Sequence, residues 1–146
     1  MLINDIILRM EIPINYLAII AAAISNTILG FLWYGPLFGK AWIALMGFSP
    51  EKMEEMKKRG MGKIYIAAFL GALVMAYVLA HFVAFWGIEG VGGAWQIAFW
   101  TWLGFIATTM LGSVLWEGKS FKLYTLDVFY YLVSLFVMAL ILTFWQ

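Results

Sequence analysis

Four stretches of this chain are each about as long as a bilayer is thick: 14–34, 64–86, 94–116 and 123–145. About twenty apolar residues in a helix cross the hydrocarbon core. Lipid offers no partner to a bare peptide group, and the alternating pattern of a barrel strand is missing, so helix is the expected state. Aromatic residues mark the ends: Trp33 and Tyr34, Tyr65 and Trp86, Trp95 and Trp116, Tyr124 and Trp145. Interfacial anchoring expects them there. The rest of the composition agrees: 65% of residues are hydrophobic and 12% charged, against about half and about a quarter in soluble chains. Mean hydropathy is +0.94. The expected fold is all-α, a polytopic membrane protein with a four-transmembrane-helix bundle, and the expected partner of its surface is the lipid bilayer.

Orientation follows from the basic residues. Loop one carries Lys40, Lys52, Lys57, Lys58, Arg59 and Lys63, and loop three carries Lys119 and Lys122. The N-terminal segment has Arg9 alone, and loop two and the C-terminus have none. Positive loops stay inside. Loops one and three are thus expected in the cytoplasm and both termini outside, in the cytoplasmic membrane of a prokaryote. The first residues do not read as a cleaved signal, because Asp5, Arg9 and Glu11 interrupt the apolar part. They read as a short amphipathic segment at the membrane surface.

Loop one, residues 35–63, is the one sizeable piece outside the spans. Leu37, Phe38, Ala41, Trp42, Leu45 and Met46 recur at helical spacing, which fits a helix lying in the interface. A short charged helix follows. Ser49 can cap it, Pro50 suits its first turn, Glu54–Lys58 and Glu55–Arg59 are i,i+4 pairs, and Gly60 ends it. This insertion is either an anionic-lipid or protein-partner patch or a solvated helix that sets topology.

A shift of 59 residues lays span two on span four: Lys63-Ile64-Tyr65 meets Lys122-Leu123-Tyr124, and Phe85-Trp86 meets Phe144-Trp145. The ends of spans one and three share a looser echo. The simplest expectation is two parallel helical-hairpin repeats about an axis along the membrane normal, with loop one inserted in the first. Small residues form stripes in three spans: Ala18, Ala22, Asn26 and Gly30; Ala68, Ala72, Ala76 and Ala80; Gly104, Thr108 and Gly112. Such stripes let helices approach closely, within the chain or in a homo-oligomer. Span four is bulky, and its Asp127 aligns with Ala68.

Asp127 is the most informative polar residue. Counted from the ends, it shares the cytoplasmic half of the bilayer with Asn26, Thr108, Thr109 and Ser113, and Tyr130 and Tyr131 follow it on its own helix. A carboxylate there reads as a proton- or cation-binding site facing a polar pocket. Its structural alternative is a packing pin that accepts hydrogen bonds or pairs with Lys63, Lys119 or Lys122. His81 is the one histidine, with Asn15 and Gln96 at a similar outer depth; it reads as an outer proton relay or as an interfacial hydrogen-bonding residue. There are no cysteines and no clustered acids, so no metal, haem or other cofactor is expected. Enzyme motifs are missing. With net charge +1, nothing points to nucleic acid. Gly90, Gly92 and Gly93 read as a flexible outer turn.

The run Trp33-Tyr34-Gly35-Pro36-Leu37-Phe38-Gly39-Lys40-Ala41-Trp42 resembles a signature of a prokaryotic membrane-protein family catalogued as domain of unknown function 1761. Gly60-Met61-Gly62-Lys63 and Leu111-Gly112-Ser113-Val114-Leu115-Trp116-Glu117-Gly118 are similar to it too. The resemblance covers nearly the whole chain. It implies four spans and brings no activity, substrate or site residue. Function is therefore open between a transporter or channel subunit for protons, cations or a small solute, a membrane scaffold or accessory subunit, and a membrane-embedded enzyme acting on lipid or quinone.

Overall fold

The computed structural model describes residues 13–146. The amphipathic segment expected around Asp5, Arg9 and Glu11 lies outside them. The described residues are all-helical. Helix α1 (Tyr16–Leu32) runs on through a π-helical turn, Trp33–Leu37. Two short helices follow, α2 (Gly39–Met46) and α3 (Pro50–Arg59). Then come α4 (Gly62–Phe85) and α5 (Gly90–Thr101). The latter continues through a π-helical segment, Trp102–Ala107, into α6 (Thr108–Met110) and α7 (Gly112–Leu115), and α8 (Phe121–Phe144) closes the chain. Four of these runs are long and apolar enough to cross a membrane: Tyr16–Leu37, Gly62–Phe85, Gly90–Leu115 and Phe121–Phe144, here spans one to four.

Local chemistry sets the ends. Asn15 caps α1 by accepting from the Leu17 and Ala18 amides at 3.1 and 3.2 Å. Ser49 caps α3, with Pro50 in its first turn. The exposed Glu51 carboxyl is held below the usual range by hydrogen bonds at that helix start, from its own backbone amide and from Ser49. Gly60, at φ +81°, ends α3. Ser120 caps α8 by accepting from the Leu123 amide at 3.2 Å. The outer glycines behave differently from the expected flexible turn. Gly90, Gly92 and Gly93 are the opening residues of α5, and Ile88 folds back onto Gly93, where a Cβ would lie 3.0 Å from the Ile88 Cγ2.

Span four is the hub. Span one packs on spans two and four, and span three packs chiefly on span four. Spans two and three touch little. The α4 and α8 helices are both 24 residues long, yet span four is the most buried of the four and span two much less so. Size complementarity explains the hub. Ala18, Ala22, Ala72, Ala76, Ala80, Ala94 and Ala98 line spans one to three, and they meet Leu135, Met138 and Leu142 of span four in one core. Without a water-driven term between helices in lipid, close van der Waals contact holds such a bundle.

The core is lopsided. It gathers the first half of spans one and three with the second half of spans two and four. That is the end bearing loop two, where the Gln146 amide reaches the Ile88 carbonyl at 3.4 Å. The bundle is tight at that end and opens toward loops one and three. Ala76 is fully buried in the tight half. Ala76→Leu is expected to lower stability by about 1–3 kcal/mol through overpacking. Ala68→Leu, on an exposed stretch of the same helix, should stay within about 0.5 kcal/mol. Thermal unfolding of both variants in detergent checks this, and equal melting temperatures would contradict the asymmetry.

Candidate functional site

The site begins with the turn that ends span one. Pro36 has no N–H to give, and its ring collides with the carbonyl four residues back in a regular helix. Gly35 absorbs the break at φ −108°, ψ −105°. The Phe38 amide then reaches the Trp33 carbonyl, five residues back, at 2.8 Å. Gly39 starts α2 directly over the Tyr34 carbonyl, so close that a Cβ would lie 2.6 Å from that oxygen. The short glycine-and-proline run thus folds α2 back against the opening turns of span four.

This turn presents two side chains to span four. The Trp33 indole donates to the Leu126 carbonyl at 3.2 Å. The Tyr34 hydroxyl donates to Asp127 Oδ1 at 2.9 Å. From span three, the Trp102 indole donates to the Val128 carbonyl at 2.7 Å. Two indoles from different spans therefore clamp the residues on either side of Asp127. Further along, the Tyr130 hydroxyl donates to Asn26 Oδ1 at 2.9 Å, and Ser134, fully buried, donates to the same oxygen. These bonds fix the rotation of span four between spans one and three. In hydrocarbon each satisfies a group that would otherwise go unpaired.

Asp127 lies where two cavities meet. The larger, about 740 Å³, opens between spans one, two and four beneath α2 and α3. Its polar end holds Asn26, Tyr34, Asp127, Tyr130 and Tyr131, and its remaining wall is mostly apolar. The smaller, about 370 Å³, lies between spans three and four at loop three. It is lined by Thr109, Ser113, Glu117 and Lys119 among others. The two share Met110 and Asp127. Lys119 is engaged with Glu117 at 2.8 Å. Among the described residues, no basic side chain lies within ion-pair distance of Asp127. At the opposite end a third cavity holds only about 20 Å³, roughly one water.

The residues singled out in the sequence fall into three groups. Asn26, Tyr130 and Tyr131 line the larger cavity, Thr109 and Ser113 the smaller, and Asp127 both. Thr108 lines neither; it donates to its own helix at Gly104 O, 2.7 Å. The outer trio is not assembled. Asn15 is a helix cap, the His81 Nδ1–H donates to the Tyr77 carbonyl at 2.8 Å, and Gln96 is exposed. Of the small residues, Ala22, Ala72 and Ala76 are buried between helices. Gly30 lies under Tyr130, whose hydroxyl would be 3.1 Å from an added Cβ. Ala68 forms part of the cavity wall, Gly104 has nothing against it, and Gly112 has only Trp116 of its own chain segment nearby.

Four aromatic residues escaped the sequence reading as site residues: Trp33, Tyr34, Trp42 and Trp102. Trp33 and Tyr34 read as interfacial anchors because they end a span. The available signal was their place inside the glycine-and-proline signature, which turns the chain. A buried indole or phenol in lipid also needs an acceptor, and span four supplies these.

A bundle of four helices long enough to cross a membrane, with an acid set in an aromatic-rich cavity at one end, is the build of a small polytopic membrane protein with a ligand-sized recess. The chain belongs to the family described as "Protein of unknown function (DUF1761)", whose model matches residues 17–143. No curated protein and no solved structure matches the chain.

Proposed function

We propose that this protein is a transporter or channel subunit for protons, cations or a small solute, with Asp127 as its ionisable binding group. One observation carries the reading: Asp127 lies at the junction of two cavities, and among the described residues no basic side chain is within ion-pair distance of it, the nearby Lys119 being paired with Glu117. The smaller cavity meets the solvated Glu117–Lys119 turn and can bring water to the carboxylate. The larger one can hold a solute beside it. An acid kept in a membrane segment despite its insertion cost commonly marks such a path. The excess of Lys and Arg in loops one and three supports a cytoplasmic position for these cavities, in a prokaryotic membrane. The tight core beyond them closes the opposite half, so passage requires rearrangement or a homo-oligomer. The exposed Gly104 of span three offers such an oligomer a surface.

A second reading has its own support. The Tyr34–Asp127 bond joins residues 93 apart in the chain, which is what a packing pin in a scaffold subunit would do. In that case loop one, with its charged helix α3, would be the contact surface for a partner or anionic lipid. Asp127→Asn separates the two, because asparagine can still accept the Tyr34 hydrogen bond but carries no charge. Proteoliposomes of the wild type are expected to move protons, a metal cation or a small organic ammonium ion above the rate of empty vesicles. The variant should fall to that background while keeping its melting temperature and oligomeric mass. Equal flux in both proteins, or no flux above empty vesicles, would overturn the transport reading. A variant that loses assembly instead would support the scaffold.

A further inference from the structure

We propose that the larger cavity binds an organic ammonium ion carrying an apolar substituent, its charge set between Asp127 and a box of aromatic rings. The inference rests on the reading of Asp127 as a binding carboxylate and names its ligand class.

Four rings line the same cavity as Asp127: Tyr34, Trp42, Tyr130 and Tyr131. They form a chain of steep edge contacts. Tyr34 meets Trp42 at 5.5 Å and 70°, Tyr34 meets Tyr130 at 5.2 Å and 61°, and Tyr130 meets Tyr131 at 5.0 Å and 63°. These contacts brace the rings against one another, and all four border the cavity. Their electron-rich faces attract cations, and alkylated ammonium ions are the ligands such boxes recognise. Asp127 adds the formal counter-charge. Tyr34 bonds its Oδ1, which leaves Oδ2 for a ligand. Lys57 is the basic side chain on the cavity wall, and it is exposed on α3.

Size and lining favour an organic cation over a bare metal ion. A bare metal ion needs several oxygen ligands to replace its hydration shell. Among the described residues no group of three His, Cys, Asp or Glu side chains could hold one. The volume of about 740 Å³ falls within the roughly 300–1,000 Å³ of small-molecule sites. Beyond the rings, the wall continues with Met53, Met56 and Met61. Thioether side chains are flexible and polarisable, and they adapt to varied apolar shapes. One end of the cavity thus suits a cationic head and the other an apolar tail.

The test is calorimetric titration of the full-length protein in lipid nanodiscs. The probes are benzyltrimethylammonium chloride, sodium chloride and neopentylbenzene, the uncharged carbon isostere of the first. Saturable binding of the ammonium ion is expected, with none for sodium or the isostere. Asp127→Asn and Trp42→Leu should each weaken it about tenfold or more. The second variant leaves the Tyr34–Asp127 bond in place, so a folding defect at Asp127 does not decide the result. Equal binding of the isostere, or unchanged affinity in both variants, overturns the proposal. Sodium binding, or cation flux that depends on Asp127 without ammonium binding, overturns the ligand class and leaves the carboxylate site standing. No binding and no flux of any cation overturns both.

Discussion

Gly39→Ala is expected to destabilise the protein by about 1–3 kcal/mol and to loosen the site in the same step. The new Cβ would meet the Tyr34 carbonyl at 2.6 Å, a contact with backbone that cannot swing aside. Gly39 is not at positive φ, so the cost is steric and arises only because α2 folds back over the end of span one. Relief requires α2 to lift. Lifting it pulls on Tyr34, and through Tyr34 on Asp127. Gly47 provides the contrast. It sits at φ +66° with open space around it, so Gly47→Ala strains only the local turn, by roughly 1–2 kcal/mol, and should leave the site intact. Thermal unfolding of both variants, with ammonium binding as a second readout, checks this. Retained stability and binding in Gly39→Ala would mean that the close approach does not hold α2 in place.

Asp127 gives the second large effect when its two roles are separated. Asp127→Ala leaves the Tyr34 hydroxyl without its acceptor in a partly buried setting. Such an orphaned group costs about 1–3 kcal/mol. Asp127→Asn keeps an oxygen in the same position, and its melting temperature should stay near that of the wild type. The indole bonds to the Leu126 and Val128 carbonyls involve backbone and survive both changes, so neither variant should release span four. Unfolding curves in detergent at one pH are sufficient. If both variants lose stability equally, the charge itself stabilises the fold. If neither does, the Tyr34 bond contributes little, and Asp127 is retained for its chemistry alone.

Some of this site was visible in the residue order. Asp127 is conspicuous because a carboxylate in an apolar run is rare, and depth counting brings Asn26, Tyr130 and Tyr131 to its level. Depth along a helix follows from 1.5 Å per residue. Rotation about the helix axis does not follow from composition when nearly every face is apolar, and this hid Tyr34. Its approach to Asp127 depends on the wide turn forced by Pro36, and no periodicity in span one announces that turn. The same limit applies to the stripe Gly104, Thr108 and Gly112, whose four-residue spacing matches that of Ala72 and Ala76. The alanines are buried between helices, whereas Gly104 is exposed with nothing against it and Gly112 borders the smaller cavity beside span four.

The sequence by itself determined four membrane-length helices, the Ser49 cap and Gly60 end of the short charged helix in loop one, and the placing of loops one and three at the same end. Each depends on hydrophobicity and hydrogen-bonding capacity over a few neighbouring residues. Only the tertiary structure decided that span four is the hub, that the bundle is tight at one end and open at the other, and that Asp127 meets an aromatic wall there. Those features depend on which small face receives which large side chain, and on bonds between residues about a hundred positions apart. Interactions of that kind exist only once the helices have chosen their rotations.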